Sequence, residues 1–446
     1  MIQETRVRVL QDEPVRKGRY VLYWMQQSQR ADWNHALEYA IERGNELGLP
    51  VVVGFGLMPG YPEANLRHYT FLLEGLRETE RRLGERGVRL VVRLGAPDEV
   101  ALGLAVDAAM VIVDRGYLRH QRAWRERVAR EAGCPVVQVE SDVVVPVEAA
   151  SNRDEYAART LRPKIHRLLP EYLVSLQPRK VKRDSLGLAL EGVKLSGIET
   201  RLKVDRSVGP AEGGRGGATE AERLLGDFLD RKLVRYAEGR NEPGSDIPSG
   251  LSPYLHFGQI SALRVALAAG ERAQGCEPSV EAFLEELIVR RELAMNFTHF
   301  NPAYDRYECV PAWARASLAK HEGDPREPAY DLKTLESAKT LDPYWNAAMN
   351  EMLRTGRMHG YMRMYWGKKL IEWLPDPETA FDTALMLNNK YFLDGRDPNS
   401  YAGVAWLFGK HDRPWGERPV FGVIRYMNAK GLERKFDMKG YVERFV

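Results

Sequence analysis

The sequence predicts a two-part protein in which a doubly wound, Rossmann-like α/β domain with a parallel sheet is followed by an all-helical domain. Short runs of β-branched residues alternate with amphipathic helical stretches over the first 145 residues, whereas strand patterns nearly vanish after residue 220. The chain of 446 residues also exceeds what one hydrophobic core usually supports. We therefore expect domains at 1–145 and 220–446, with a connector at 146–219 between them.

The strands of the first domain are predicted from five apolar runs. Each run is rich in β-branched and other apolar residues, as in strands that a parallel sheet buries. The segments 32–48 and 67–87, which lie between runs, carry apolar residues at helical spacing. The glycines of GFGLMPG (54–60) lack the spacing of a dinucleotide-binding loop, so we expect an ordinary loop there. The five runs lie at 19–25, 51–57, 88–95, 110–114 and 136–140.

The connector changes character along its length. Residues 152–183 hold nine Lys and Arg against three Asp and Glu, which fits either a solvated face or a patch that faces phosphates. Residues 184–219 are rich in glycine and lose periodicity, as expected of a partly flexible link. In the second domain, helical periodicity is found at 220–239, 260–274, 279–297, 330–340, 343–356, 360–374 and 377–392.

Composition indicates an ordinary folded protein without a metal site or a membrane segment. Hydrophobic residues make up 44% and charged residues 28% of the chain, and the net charge is only +3. The three cysteines form no CxxC or Cys/His pattern, so neither disulfides nor a zinc or iron–sulfur site is predicted. Neither a long apolar run nor a signal-peptide core is present. We expect a cytoplasmic protein, nucleoid-associated in a prokaryote, or a nuclear one in a eukaryote.

Two loops of the helical domain are more polar than core packing explains. Residues 240–261 place Ser249, Ser252 and backbone amides just ahead of a helix, where they can hold a diphosphate or simply cap a turn. Residues 393–418 mix charged side chains and glycines with Trp406 and Trp415. A loop-rich pocket with aromatic walls is what a base flipped out of a DNA duplex needs.

Three motifs of this domain closely resemble one family. EELIVRRELAMNF (285–297), MHGYMRMYWGKKLIEW (358–373) and LDGRDPNSYAGVAW with HDRPWGER (393–418) are similar to the class II cyclobutane pyrimidine dimer photolyases of the photolyase/cryptochrome superfamily. The resemblance runs over nearly the whole chain and includes YWMQQSQRADWNHALEYA (23–40). It implies an N-terminal antenna domain and a C-terminal helical domain that holds FAD noncovalently in a bent shape.

The resemblance also implies an activity. In this family the reduced, anionic FAD absorbs blue light and passes one electron to a pyrimidine dimer flipped out of ultraviolet-damaged DNA. The cyclobutane ring splits and the electron returns, so the flavin performs the chemistry while the protein supplies binding, geometry and electrostatics. We expect a monomer that binds damaged DNA and no membrane. The sequence leaves open whether the N-terminal domain holds a second chromophore, and whether that is a deazaflavin, a folate or a flavin.

Cofactor-binding residues follow from the same resemblance. Arg363 and Asp394 match an ion pair beside the isoalloxazine ring, and a plain buried salt bridge there would be costly without a polar ligand. Asn388 matches the asparagine that faces flavin N5, a role for which Asn399 is a rival. The residues that match the phosphate and ribityl contacts are Tyr236, Ser249, Leu251, Ser252 and Gln259.

Lesion-binding residues are implied in the same way. Glu286 matches a carboxylate that hydrogen-bonds the dimer, whereas its spacing alone suggests an i,i+4 pair with Arg290 on a solvated helix. Some relatives carry an aromatic residue at the position of Arg290, so one wall of the pocket differs here. Arg240, Met364 and Trp406 match the lesion pocket, and Arg413, Trp415 and Arg425 match the lip that fills or grips the opened duplex.

Three tryptophans match an electron relay. Trp366 and Trp373 lie seven residues apart on one face of a predicted helix, about 10 Å along its axis. With Trp345 they match a chain that carries electrons from the surface to oxidised flavin. Because buried indoles also fill core volume, packing is an alternative role for all three.

Three other functions compete with dimer repair. A cryptochrome-like photoreceptor would keep the FAD and the tryptophans but repair nothing; it usually carries a long C-terminal tail, whereas this chain ends soon after the last motif. An enzyme for (6-4) photoproducts would need a histidine pair that the pocket motifs do not offer. A non-enzymatic DNA-binding protein would purify without colour.

Overall fold

The computed structural model describes residues 2–445 and shows an α/β domain followed by a helical one, which confirms the predicted fold class. A six-stranded sheet forms the centre of the first domain. Its strands are β1 Val7–Gln11, β2 Tyr20–Trp24, β3 Val51–Leu57, β4 Arg89–Leu94, β5 Ala108–Asp114 and β6 Val136–Val139.

The strand order is β1-β6-β5-β2-β3-β4, and all neighbours are parallel except β1 and β6. The parallel part has the order of a doubly wound fold, with its switch point between β2 and β5. All five predicted strands are present, and the strand that the sequence did not indicate is β1. It lies at the sheet edge with Arg8 and Val9 exposed, so it lacks a continuous apolar run.

Helices cover both faces of this sheet. On one face the predicted helices α1 (His35–Leu47) and α2 (Leu66–Glu85) pack against strand side chains. On the other face lie α3 (Pro97–Ala105) and α4 (Arg119–Glu131), which the sequence analysis did not identify. Helix α4 is rich in arginine and its buried face includes Gln121 and Arg125, so few apolar residues mark it in the sequence.

The connector begins with two helices, α5 (Val147–Ala150) and α6 (Ala158–Tyr172). Between residues 173 and 217, all of which are described, the only regular element is a 3₁₀ turn at Ile198–Thr200. Several basic side chains of 152–183 have acidic partners within the chain. Arg162 pairs with Glu285 at 2.7 Å, Arg179 pairs with Glu42 at 2.8 Å, and Lys164 pairs with Glu155.

The second domain is helical, and each of its seven predicted stretches contains helix. Wide π turns at Phe228–Lys232 and Glu285–Arg290 interrupt two of these stretches. Such turns are frequent at functional sites. The helices are α7 Ala218–Asp227, α8 Tyr236–Gly239, α9 Ser252–His256, α10 Ala262–Gly270, α11 Glu277–Leu284, α12 Arg291–Phe300, α13 Ala312–Lys320, α14 Leu332–Glu336, α15 Pro343–Thr355, α16 Gly360–Trp373, α17 Pro377–Tyr391, α18 Pro398–Leu407, α19 Ala429–Glu433 and α20 Met438–Phe445.

The part of the chain that the structure describes has neither a membrane-spanning helix nor a cluster of metal-binding side chains. Between residues 2 and 445, no helix combines the length and the apolar character needed to cross a bilayer. Over the same range, no group of three or more His, Cys, Asp or Glu side chains is arranged to hold a metal ion.

Candidate active site

A polar cavity of about 260 Å³ opens in the helical domain. Its walls come from α8, the loop before α9, the π turn Glu285–Arg290, and the N-terminal parts of α16 and α18. This loop-rich construction brings together residues that are up to about 160 positions apart in the sequence. Seven of the predicted site residues line the cavity: Tyr236, Ser249, Leu251, Ser252, Glu286, Arg363 and Asp394.

Arg363 and Asp394 form the predicted ion pair on the cavity wall. Arg363 Nη2 donates to the two carboxylate oxygens of Asp394 at 3.2 and 3.4 Å. The guanidinium carbon lies 3.9 Å from the centre of the Phe392 ring. The side chains of Arg363 and Asp394 are only 23% and 14% exposed, so a cation and a carboxylate are both held in a largely dry site.

Asn399 lines the cavity, and Asn388 does not. Asn388 is buried in α17, where its amide donates to Asn389 Oδ1 at 3.1 Å. Asn399 lies in the first turn of α18, and its Nδ2 donates to Asp397 Oδ1 at 2.8 Å. Of these two candidates for the residue that faces flavin N5, only Asn399 lies on the cavity wall, where the turn before α18 places it.

Asp397 and His256 are cavity residues to which the sequence analysis gave no role. His256 Nδ1 lies 3.1 Å from Asp397 Oδ2. Burial raises the pKa of Asp397, but hydrogen bonds from His256 and Asn399 more than offset this effect, so its pKa lies below the usual value. The carboxylate thus stays charged and fixes both neighbours. The only sequence signal was the polarity of the two loops.

The predicted diphosphate and ribityl contacts divide into two groups. Ser249, Leu251 and Ser252 lie on the cavity, where Ser249 Oγ accepts a hydrogen bond from the Leu251 amide at 3.4 Å. Gln259 does not line the cavity. Its buried side chain accepts from the Gly217 amide at 2.7 Å and donates to the Phe71 carbonyl at 3.2 Å, so it joins α2 to the connector.

Glu286 lies on the rim of the cavity and is paired with Arg240. Arg240 Nη1 donates to Glu286 Oε1 at 2.8 Å, and the Glu286 side chain is 44% exposed. Arg290 bonds instead to Glu285, at 3.2 Å. The i,i+4 pair between Glu286 and Arg290 is therefore wrong, because the π turn Glu285–Arg290 shifts the register that an α-helix would have kept.

Four of the predicted DNA-contacting residues, Trp406, Arg413, Trp415 and Arg425, lie together at the C-terminal end of α18 and after it. The Arg425 guanidinium lies over the rings of Trp415 and Trp406, at 4.2 and 5.2 Å from their centres. Arg413 lies 5.1 Å from the centre of the Trp415 ring. Asp412 fixes Arg425 through a 2.9 Å bond to Nε. We refer to Trp406, Asp412, Arg413, Trp415 and Arg425 as the lip.

The lip continues from the cavity along one helix. Asn399 and Trp406 are seven residues apart in α18, so they lie on the same face, about 10 Å apart along the axis. Met364, the remaining residue predicted for the lesion pocket, does not line the cavity. It packs, partly buried, against the helical core.

Trp366, Trp345 and Trp373 form a series of ring contacts. The rings of Trp345 and Trp366 are stacked, with 6.4 Å between centres and 11° between planes. Trp373 meets Trp345 edge-on at 5.5 Å. All three indoles are at most 3% exposed. The series continues to the partly exposed ring of Tyr330, which packs edge-on against Trp373 at 4.9 Å.

A second cavity, of about 110 Å³, lies at the carboxyl ends of β2 and β3. Doubly wound sheets bind ligands at this edge, beside the switch point. Apolar and aromatic side chains such as Phe55, Tyr61 and Trp124 form most of its wall, and His256 and Arg396 reach it from the helical domain. His256 therefore lies between the two cavities.

Comparison with known proteins agrees with this arrangement. The sequence model of the DNA photolyase family matches residues 21–182. The chain is 51% identical over 445 residues to a protein of Methanothermobacter thermautotrophicus named deoxyribodipyrimidine photo-lyase, a match that covers 100% of this chain and 98% of the relative. Relatives of the same name from Arabidopsis thaliana and Potorous tridactylus are each 39% identical, covering 99% and 94% of this chain and 92% and 79% of their own lengths. The chain belongs to the DNA photolyase family.

Solved structures share the fold. The class III photolyase of Agrobacterium tumefaciens superposes with a TM-score of 0.74, covering 97% of this chain and 87% of that one at 21% identity. An archaeal photolyase of Sulfolobus tokodaii, solved with two FAD molecules, superposes with a TM-score of 0.72, covering 96% and 90% at 18% identity. At these identities the similarity establishes a common architecture and says nothing of individual side chains.

Proposed function

We propose that this protein repairs cyclobutane pyrimidine dimers in DNA by a light-driven reaction with bound FAD, as a class II photolyase. One observation supports this most strongly: a polar cavity, an exposed carboxylate on its rim and three tryptophans in ring contact lie within one helical domain. The relatives named deoxyribodipyrimidine photo-lyase support the repair activity. The class II assignment rests on the motifs at 285–297, 358–373 and 393–418.

The donor set around the cavity fits FAD. Arg363 and Asp394 offer a cation and a carboxylate to the polar edge of an isoalloxazine ring, while the hydroxyls of Ser249 and Ser252 suit the ribityl and phosphate oxygens. Asn399 takes the role facing N5. When bound and reduced, FAD supplies the light absorption and the transferable electron that amino-acid side chains lack.

Glu286 is the side chain that we assign to the lesion. Arg240 binds its Oε1, so Oε2 has no donor among residues 2–445 and can accept a hydrogen bond from a base. The ion pair also fixes the direction of the carboxyl group before the lesion arrives. A preorganised polar group next to developing charge is worth more in a site from which DNA excludes water than in open solvent.

The lip provides the grip on DNA. Trp406 offers a ring on which a flipped base can stack, and base-aromatic stacking is tolerant of base identity. Arg413 and Arg425 offer charge to phosphates, contacts that position DNA without reading its sequence. Arg425 is held by Asp412 and by both lip tryptophans, so little of its side-chain freedom remains to be lost on binding.

The three tryptophans form the route for electrons in this proposal. Trp366 lies three residues after the cavity residue Arg363 on α16, and its ring is stacked on Trp345. Each indole contacts the next, so an electron moves in short steps between neighbouring rings toward the cavity. Core packing is fully compatible with this role, because the same burial that fills the core also shields the radical cation from water.

The cavity at the carboxyl ends of β2 and β3 is the place that we propose for a second chromophore. Its aromatic and apolar wall suits a planar ring system, and it lies in the domain that the family uses as an antenna. The identity of the chromophore stays open. The Sulfolobus tokodaii structure with two FAD molecules makes flavin one candidate to test.

Cofactor analysis of the purified protein is the first test of this function. We expect a coloured protein that releases about one FAD per chain on heating, identified by chromatography of the supernatant. Arg363→Met should lower the FAD content, whereas Arg8→Met, on the edge strand, should not. A protein that stays free of flavin after reconstitution with FAD would overturn the proposal. A flavin-loaded protein that repairs no dimer would favour the photoreceptor alternative.

A further inference from the structure

A second polar cleft, of about 460 Å³, lies apart from the proposed flavin site. It is formed by β1, β6 and α4, and by the C-terminal end of α12. Arg291, the first residue of α12, lines the flavin cavity, whereas His299, eight residues and about 12 Å further along that helix, lines this cleft. We refer to it as the arginine cleft, after its residues Arg8, Arg115, Arg122, Arg125 and Arg130.

Three of the five arginines have carboxylate partners. Arg115 donates to Glu140 at 2.9 Å and to Glu148 at 3.1 Å. Arg8 lies 3.4 Å from Glu148, and Arg130 pairs with Glu131 at 2.8 Å.

Arg122 and Arg125 have no carboxylate partner within residues 2–445. They are three residues apart on α4 and therefore share a face. Arg125 is 6% exposed and donates only to neutral oxygens: the Gln138 side chain at 3.1 Å and the Gln121 carbonyl at 3.3 Å. Arg122 donates to the His299 carbonyl at 3.0 Å.

The surroundings compensate the charge of Arg125 only in part. Burial, together with the charges of Arg115 and Arg122, lowers the pKa of Arg125 to about 10 although the charge of Asp114 raises it, so Arg125 keeps its charge at neutral pH. Burial and the charge of Arg115 lower the pKa of His299 to about 4, so this ring is neutral and adds no charge. Among the described residues that line the cleft, Glu126 is the only acid, and it is exposed. Buried charges in folded proteins are normally paired.

We propose that the arginine cleft binds a small phosphate-bearing anion that supplies the missing counter-charge to Arg122 and Arg125. Guanidinium groups bind phosphate oxygens through two parallel charge-assisted hydrogen bonds, a geometry that a lysine cannot offer. Inorganic phosphate, pyrophosphate and the phosphate chain of a nucleotide share this chemistry. The cleft volume lies in the range of small-molecule sites, which leaves room for more than a single phosphate.

Calorimetric titration of the purified full chain in the dark tests the proposal. Pyrophosphate is the first probe, and phosphate and ATP are titrated separately at the same ionic strength. We expect pyrophosphate to bind and Arg122→Gln to weaken binding about tenfold or more, the loss expected for a charge-assisted hydrogen bond. Arg125→Lys keeps the positive charge but loses the two parallel N–H donors of the guanidinium group, so it should also weaken binding. Arg127→Gln is the matched control, because Arg127 lies on the same helix but pairs with Asp98 and Glu131 outside the cleft.

Melting temperatures provide a second readout. In phosphate-free buffer, Arg122→Gln should melt close to the wild type, because no carboxylate loses a partner. Pyrophosphate should raise the wild-type melting temperature more than that of the variant. Absence of binding to the wild type, or equal weakening by Arg122→Gln and Arg127→Gln, would overturn the proposal. Displacement of pyrophosphate by an undamaged DNA duplex would assign the cleft to DNA and also overturn it. None of these measurements requires flavin or repair, so they do not depend on the proposed photolyase activity.

Discussion

Trp366 combines two roles that ordinary mutational scanning would confuse. Its ring is 1% exposed and stacked on Trp345, so it contributes to the core whether or not electrons pass through it. Phenylalanine fills a similar volume but is far harder to oxidise. Substitution by phenylalanine therefore separates the electronic role from the packing role.

We expect Trp366→Phe to fold and to bind FAD, with a loss of unfolding free energy on the order of 1 kcal/mol. Under blue light with an external reductant, it should reduce its oxidised flavin poorly. It should still repair dimers after chemical reduction. Trp345→Phe and Trp373→Phe should also reduce their flavin poorly. The size of each loss depends on how well other electron routes bypass the substituted residue. The absorbance of oxidised flavin under illumination measures the effect.

Trp313→Phe is the matched control, because Trp313 lies in the same domain outside the ring series. Normal photoreduction in all three relay variants would mean that the tryptophans serve only the core. Loss of both photoreduction and chemically primed repair would indicate a disturbed flavin site instead.

Glu286 offers a second test at the scale of one residue. We expect Glu286→Gln to lower the number of dimers repaired per absorbed photon more than it lowers FAD content, since it removes a charge that Arg240 orients toward the lesion. Glu285→Gln is the neighbouring control, whose carboxylate binds Arg162 and Arg290 away from the cavity. Equal quantum yields for the wild type and Glu286→Gln would mean that Glu286 only forms an exposed ion pair with Arg240. Such a pair contributes under about 1 kcal/mol to the free energy of unfolding.

At the scale of elements, the lip should distinguish damaged from undamaged DNA. We expect Trp406→Ala to weaken binding to dimer-containing DNA by about 1–3 kcal/mol, the usual contribution of a base-aromatic stack, and to leave undamaged DNA nearly unaffected. Arg413→Gln should weaken binding to both DNAs alike. It should also reduce the salt dependence of binding by the amount that corresponds to about one phosphate contact. Fluorescence anisotropy over a salt series measures both effects. Equal losses on the two DNAs for Trp406→Ala would exclude a lesion pocket at this end of α18.

Helix α12 is joined to the segment after β6 by a buried carboxyl group. Glu292 Oε1 accepts hydrogen bonds from the amides of Val144 and Val145, at 2.6 and 3.3 Å. Burial raises the pKa of Glu292 to about 8, although these amides and Arg291 favour the charged form. Because the folded pKa exceeds the unfolded one, the stabilisation is present in full below the unfolded pKa and is lost as pH rises toward 8.

We therefore expect the contribution of Glu292 to the free energy of unfolding to decrease between about pH 5 and pH 8, by about 5 kcal/mol at most. Glu292→Gln stays neutral and can still accept from both amides, so it should flatten that part of the profile. Denaturant unfolding at several pH values measures it, with Glu286→Gln as an exposed control. Parallel profiles for the wild type and Glu292→Gln would contradict the expectation.

The elements that the sequence predicted share a physical property. Strands β2, β3, β5 and β6 are buried along their whole length, and the edge strand β4 is buried at its centre, so each has an apolar run that stands out locally. Strand β1 is half-exposed at the edge, and α4 is dominated by arginine, so neither stands out by its apolar residues. The π turn at Glu285–Arg290 has the composition of an ordinary helix. Its extra residue is a consequence of packing, which a local pattern does not contain.

Across the whole molecule, the sequence could predict that distant residues meet in one cavity, but it could not predict several of their partners. The motifs indicated a flavin and lesion site, and seven of the predicted residues line one cavity. The choice of Asn399 over Asn388, and of Arg240 over Arg290 as the partner of Glu286, depends on loops that join distant segments. Gln259 matches a cofactor contact of the family. The oxygen and the nitrogen of its side-chain amide, however, both form hydrogen bonds in the contact between α2 and the connector.

The two cavities and the arginine cleft are three separate candidate binding sites. The helical domain holds the cavity with the lip and the tryptophan series, and the second cavity lies where this domain meets the carboxyl edge of the sheet. His256 borders both cavities and is held by Asp397, so this one side chain separates the proposed flavin site from the proposed antenna site. Loading or removing a second chromophore should therefore change the absorption spectrum of the protein. It should not change repair by the chemically reduced protein at a wavelength that the flavin itself absorbs.

Repair of an oligonucleotide with one thymine dimer by the chemically reduced protein is the most direct test of the proposed activity. The recovery of absorbance at the wavelength of intact thymine measures this repair. We predict that the dimer disappears under blue light, that it persists in the dark, and that the rate increases with light intensity. A protein that contains one FAD per chain and binds the damaged oligonucleotide, yet leaves the dimer intact under light, would contradict the account.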